Sequence, residues 1–156
     1  MEKILVLDFG GQYNQLIARR VRDLHVYAEI KPYNGITPEE IAAAGYCGII
    51  FTGGPNSVYD MSSPHYDPKV LELGIPVLGI CYGAQLTAWM GGGSVITAET
   101  SEYGKINLLL DDPASCLMEG VPAESVVWMS HTDRIAQVPA GFKITAQPDV
   151  CHVAAM

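Results

Sequence analysis

The sequence predicts an α/β fold with a mostly parallel central sheet, followed by a β-rich second half. Three observations carry this expectation. Between Ile4 and Met90, apolar runs of strand length alternate with stretches of helical period, the pattern of a parallel sheet covered on both faces. The run Pro76-Val77-Leu78-Gly79-Ile80 breaks at Cys81 and passes straight into the helical Ala84-Gln85-Leu86-Thr87-Ala88-Trp89-Met90. After Gly91-Gly92-Gly93 the chain changes to short strand-like runs separated by turn residues.

Ile4 to Asp8 reads as the first buried strand, Gly10-Gly11-Gln12 as a turn, and Gln15 to Leu24 as an amphipathic helix with Leu16, Ile17, Val21 and Leu24 on its apolar stripe. Gly10-Gly11 is no dinucleotide loop, because GxGxxG is absent and no acid stands where a ribose would need one. Val26 to Lys31 fits a second strand. Thr37-Pro38-Glu39-Glu40 supplies an N-cap, a proline at the first helical position and acids in the first turn of a helix through Ala44. Gly48 to Thr52 is a third buried strand, ending in Gly53-Gly54-Pro55. A polar loop over Asn56 to Asp67 leads to a short helix, Pro68 to Leu73, capped by Gly74. Pro76 to Ile80 is then a fourth buried strand. In the second half, Ser94–Thr97, Ile106–Leu110, Val126–Met129, Ile135–Val138, Lys143–Ala146 and Val150–Ala155 are the strand-like runs.

The bulk numbers bound the class. A chain of 156 residues, 49% hydrophobic, is expected to form one folded domain over 1–156. A net charge of −8 with no basic run argues against nucleic acid or an anionic membrane surface as partner. No stretch has the length of a membrane span, and the apolar start is too short for a signal peptide, so a cytoplasmic setting is expected. Cys47, Cys81, Cys116 and Cys151 include no CxxC pair, which indicates neither a metal site nor a disulfide framework.

Gly-x-Cys-x-Gly at a strand-to-helix junction has the spacing of a nucleophile elbow with sulfur as the nucleophile. Side chains at Gly79 and Gly83 would collide with the adjoining helix and strand, and the turn would expose Cys81 at the positive end of a helix, which favours thiolate. A carbonyl attacked by that thiolate develops negative charge on oxygen. Backbone N–H groups of Gly53-Gly54 and of Tyr82, all at the carboxyl end of the sheet, are candidates to hold it. Among His25, His65, His131 and His152, spacing alone favours His131 with Asp133 as base and orienting acid, because Trp128-Met129-Ser130-His131-Thr132-Asp133 follows a strand end.

Gly79-Ile80-Cys81-Tyr82-Gly83-Ala84-Gln85 resembles the nucleophile motif of class I (triad-type) glutamine amidotransferases, and Thr52-Gly53-Gly54-Pro55 resembles their oxyanion strand. Asp8 to Arg22 and Val127 to Asp133 narrow the resemblance to the branch serving the amination of XMP to GMP, rather than branches serving anthranilate or carbamoyl phosphate. The resemblance covers the whole chain and implies the three-layer, flavodoxin-like form of the fold. It implies hydrolysis of L-glutamine through a thioester on Cys81, with the N–H groups of Gly54 and Tyr82 as oxyanion donors. Gly53, Gln85, Ser130, His131 and Asp133 would contact the substrate, which moves His131 from base to substrate positioning. The implied partner is an ATP-pyrophosphatase synthetase, on the same chain or separate. ATP and Mg²⁺ are expected there, and no cofactor or metal in this domain.

The family's catalytic His-Pro-Glu motif follows the strand that Val150 to Met156 resembles. The expectation is therefore that the triad histidine and glutamate lie beyond Met156 and that these residues alone turn over little glutamine. Two alternatives stay open: a short form that binds glutamine or the synthetase without turnover, and another cysteine hydrolase of the same fold acting on γ-glutamyl substrates.

Overall fold

Leu5, Val6 and Leu7 at the centre of β1 (Lys3–Asp8) are wholly buried, as an apolar run must be when strands flank it on both sides. β2 (Tyr27–Pro32) and β3 (Gly48–Phe51) pair with β1 in parallel, and β4 (Val77–Gly79) pairs in parallel with β3. The sheet order is β2-β1-β3-β4. The computed structural model describes residues 2–149 and 153–156, and of 99–102 the backbone alone. Val150, Cys151 and His152 lie outside the described residues. The described chain divides into two compact units, Met1–Met90 and Gly91–Met156.

In the first unit, α1 (Asn14–Asp23) follows β1. Its inward side is not the expected stripe. Leu16 is 46% and Leu24 77% exposed, whereas Asn14 and Ala18 are buried and Ile17 and Val21 pack onto Val6, Ala28 and Ile50. The 14-17-18-21 spacing is still that of one helix face, rotated from the expected stripe so that Ala18 is wholly buried in the cluster with Val6, Ala28 and Ile50. The helix stops at His25, whose φ of +62° puts it in the left-handed conformation usually left to glycine. α2 (Pro38–Ala44) forms as expected. Thr37 accepts the Glu40 N–H, the Glu40 carboxylate accepts the Thr37 N–H, and Gly45 closes the helix at φ +73°.

Two further expectations for this unit need correction. Pro68–Glu72 is a 3₁₀ helix, started by Asp67 accepting the Lys69 N–H, because only five residues separate the polar loop from the next turn. β4 is short and half-exposed rather than buried, with Leu78 40% and, just after the strand, Ile80 38% exposed, because it is an edge strand of the described sheet.

The second unit is an antiparallel sheet of order β6-β5-β7. Here the expected short strands merge. Ser94–Thr97 and Ile106–Leu110 belong to one strand, β5 (Ser94–Leu110), and Val126–Met129 and Ile135–Gln137 to another, β6 (Glu124–Gln137). Pairing with β5 carries β6 through its polar residues Ser130, His131 and Asp133, while β5 has a register irregularity between Thr97 and Glu102. β7 is only Ala146–Pro148; 143–145 are irregular, and Ala155 makes an isolated bridge to Ala146. Leu108, Met118 and Ala146 form the buried cluster of this unit, with Val127, Ala154 and Ala155 packed against them.

Candidate active site

The carboxyl ends of β1, β3 and β4 meet at the first unit's polar rim. The backbone passes from β4 to α3 (Tyr82–Met90) through Ile80 and Cys81, with Ile80 N–H donating to Phe51 O at 2.9 Å and Gly83 N–H to Thr52 O at 3.1 Å. The turn is tight enough to fix its own composition. A Cβ on Gly79 would stand 2.6 Å from Ala84 N, and one on Gly83 would run into the carbonyl and Cβ of Phe51. The expected collisions with helix and strand are therefore present, and only glycine fits both positions.

Cys81 stands at the apex with φ +53°, strained for a residue with a side chain, and it is exposed. Its carbonyl accepts the N–H groups of Ala84 and Gln85, both at 3.0 Å, so it leads directly into the first turn of α3. Strain at a solvent-facing thiol ahead of a helix N-terminus is the geometry of a presented nucleophile.

Gly53 and Gly54 follow β3 beside it. A Cβ built on Gly53 would lie 3.7 Å from the Cβ of Cys81, while one on Gly54 would lie 2.6 Å from Phe9 O and 3.5 Å from Tyr82 Cγ. Gly53 thus stands beside Cys81, and Gly54 is held between the Phe9 backbone and the Tyr82 ring. Gln85, one helical turn after Cys81, is buried with 7% exposure. The structure thus gathers Cys81, Gly53, Gly54, Tyr82 and Gln85 in the first unit.

Ser130, His131 and Asp133 lie in the second unit and are described there. They occupy the body of β6, not a turn after a strand end, because β5 continues to pair with them: Ser130 faces Tyr103, His131 faces Glu102 and Asp133 faces Thr97. Alternation puts His131 and Asp133 on one face and Ser130 on the other. Asp133 is 5% exposed, and His131 Nε2 lies 3.2 Å from Met129 Sδ. His25 is exposed at its helix end, as expected. His65 sits in the loop after β3, with Nδ1 2.8 Å from Ser63 O and Nε2 2.8 Å from Val58 O, so both ring nitrogens are engaged in loop structure.

Supporting contacts emerge that the sequence does not announce. The Tyr82 ring packs on Phe9 at 5.8 Å between centroids, and its hydroxyl donates to Pro64 O at 2.6 Å. Burial pushes this phenol up to about 12. Phe9 also stacks on Tyr33 and meets Phe51 edge-on, which floors the site with aromatics. Thr52, fully buried, accepts the Phe9 N–H at 3.2 Å and donates to Gly53 O at 3.1 Å. A threonine ahead of two glycines is visible in the sequence, but its partner on another strand is not. Among the described residues no group of three or more His, Cys, Asp or Glu side chains could hold a metal ion, and no helix is long and apolar enough to cross a membrane.

The family model for glutamine amidotransferase class-I matches residues 5–156. The chain is 58% identical over 153 residues to the GMP synthase [glutamine-hydrolyzing] of Clostridium perfringens, covering 98% of this chain and 30% of that protein. It is 50% identical over 155 residues to the enzyme of the same name from Lactobacillus acidophilus, covering 99% of this chain and again 30% of the relative. The chain therefore spans about 30% of the length of these curated relatives. Among solved structures, a Thermoplasma acidophilum protein assigned as one subunit of a GMP synthase superposes with a TM-score of 0.83 at 34% identity, over 98% of this chain and 76% of that one. A glutamine amidotransferase of Thermotoga maritima shares the fold with a TM-score of 0.73 at 19% identity, over 96% and 68% of the two chains.

Proposed function

Because the chain belongs to the class I glutamine amidotransferase family, we propose that it is the glutamine-hydrolysing part of a GMP synthase, supplying ammonia to an ATP-pyrophosphatase part that aminates XMP. The observation that carries this is the exposed, strained Cys81 at φ +53° beside the Gly53-Gly54 backbone.

In this mechanism the Cys81 thiolate attacks the side-chain carbonyl carbon of L-glutamine. The C–S bond forms as the carbonyl π pair moves onto oxygen, where the N–H groups of Gly54 and Tyr82 receive the charge. Collapse of the adduct breaks the C–N bond and, with a proton on nitrogen, releases ammonia and leaves a γ-glutamyl thioester. Water then adds to the thioester and expels the thiolate, giving glutamate. By the family resemblance, Gln85, Ser130, His131 and Asp133 hold the α-amino and carboxylate groups of glutamine, and Gly53 contacts the substrate. The histidine–glutamate pair that carries the protons belongs, by the family resemblance, to the sequence after Val150 to Met156. Residues 1–156 act as one amidotransferase domain in this role, ATP and Mg²⁺ serve only the synthetase part, and the reaction belongs in the cytoplasm, which suits cysteines held outside disulfides at Cys47, Cys81 and Cys116.

The test is GMP formation from XMP and ATP by the protein together with its synthetase part, with glutamine or ammonium as nitrogen source. Cys81→Ala is expected to abolish the glutamine-dependent reaction and to leave the ammonium-dependent one intact. Undiminished glutamine-dependent GMP formation by Cys81→Ala would contradict the proposal. Glutamine binding without ammonia transfer in the wild type would instead indicate a binding module.

A further inference from the structure

We infer that Thr52 is a positioning residue that presets the oxyanion-binding peptide, an inference that rests on the glutaminase reading above. Every polar group of Thr52 is committed. Its N–H donates to Leu7 O at 3.2 Å, its carbonyl accepts the Gly83 N–H at 3.1 Å, and its hydroxyl accepts the Phe9 N–H at 3.2 Å. Since Phe9 is the donor in that last bond, the hydroxyl proton is left for Gly53 O, 3.1 Å away.

The Gly53 carbonyl and the Gly54 N–H belong to one planar trans peptide, so fixing one fixes the other in the opposite direction. Gly11 packs on the same carbonyl: a Cβ there would meet Gly53 O at 2.5 Å and Gly53 C at 2.9 Å. The carbonyl is thus pinned on the β1 side by a hydroxyl and a glycine loop, and the Gly54 N–H is turned away from them. Two adjacent glycines would otherwise rotate this peptide freely. Thr52 is fully buried and joins β1, the Gly53-Gly54 backbone and the elbow at one residue. Its hydroxyl acts on the reaction through the Gly54 N–H and touches no substrate atom.

The experiment compares two reagents on Cys81 of the whole protein. A glutamine-like chloromethyl ketone passes through a hemithioketal oxyanion that needs the hole, whereas iodoacetamide alkylates the thiolate by direct displacement and needs none. Removing an oxyanion donor costs roughly 10²–10³ in rate, so loosening one in Thr52→Val is expected to slow the chloroketone about tenfold or more. Iodoacetamide should react within about twofold of wild type, and Thr52→Ser, which keeps the hydroxyl, should restore the chloroketone rate. The readout is the ratio of the two rates in Thr52→Val and Thr52→Ala, which a reduced folded fraction leaves unchanged. A wild-type ratio in both variants, or equal slowing with both reagents, overturns the inference while leaving the glutaminase proposal standing. Wild-type labelling by the chloroketone away from Cys81 overturns the glutaminase proposal itself.

Discussion

The elbow of the first unit and the β5–β6 ribbon of the second differ in what fixes their shape. At the elbow, Gly79 and Gly83 are dictated by atoms a few ångströms away, and the Cys81 conformation is held against its own preference. In the ribbon, two long strands pair through polar stretches, and large side chains stand in solvent: Trp128 is 75%, Tyr103 65% and Val126 63% exposed. The contrast teaches that a site built on backbone approach tolerates almost no added atom. A ribbon held by ladder hydrogen bonds tolerates many.

The largest expected effect breaks the elbow. Gly83→Ala puts a methyl group into Phe51 backbone, so its destabilisation should reach or pass the top of the ~1–3 kcal/mol range of overpacking, read by urea unfolding. Gly104→Ala in the ribbon meets no atom within 4 Å and has only its φ of +119° to contend with, so about 1–3 kcal/mol of backbone strain is its whole cost. Equal losses in the two variants would erase the contrast.

Next comes the stored strain. Cys81→Gly should be more stable than Cys81→Ala by about 1–2 kcal/mol, since glycine accepts φ +53° without penalty. No difference in midpoint between the two variants would mean that the elbow holds no strain.

Tyr82 tests the wall of the site through pH. Its phenol is raised from 10.0 to about 12 by burial. Below pH 10 both folded and unfolded phenols are neutral and the stabilisation is complete. Between pH 10 and 12 only the unfolded form ionises, so stability falls across that window. Tyr82→Phe should make this alkaline loss shallower, while Tyr66, also raised to about 12, keeps part of it. An unchanged alkaline profile would show that the Tyr82 phenol ionises as easily folded as unfolded.

The smallest effect lies in the ribbon. Lys105 sits over the exposed Trp128 ring at 5.7 Å, a pairing worth about 0.5–1 kcal/mol at most in solvent, and Lys105→Gln should cost no more than that. A loss comparable to Gly83→Ala would show the ribbon to be as constrained as the elbow.

The same contrast explains what the sequence revealed. The Thr37 N-cap, the Gly79 and Gly83 positions and the parallel first half were legible because each follows from local sterics, capping or hydrophobic patterning. The length of β5 and β6 was not, since pairing with a distant strand carries extended backbone through Ser130 to Asp133, where polar residues suggested a turn. The half-exposure of β4 follows from its place at a sheet edge, which an apolar run does not announce. At the candidate site, Cys81 was legible from the elbow spacing, Gly53, Gly54 and Tyr82 from their place at the strand ends, and Gln85 from the family resemblance; the structure gathers these residues in the first unit. The Thr52 bond to Phe9 joins the residues that follow β3 and β1 and cannot be read from the sequence.

The most direct test of the central claim maps a glutamine-like chloromethyl ketone onto the four cysteines by peptide mass spectrometry, with and without L-glutamine. Label is expected on Cys81 well ahead of Cys47 and Cys116, and is expected to be lost when glutamine competes. Equal labelling of Cys47 or Cys116, or Cys81 labelling indifferent to glutamine, would contradict the claim.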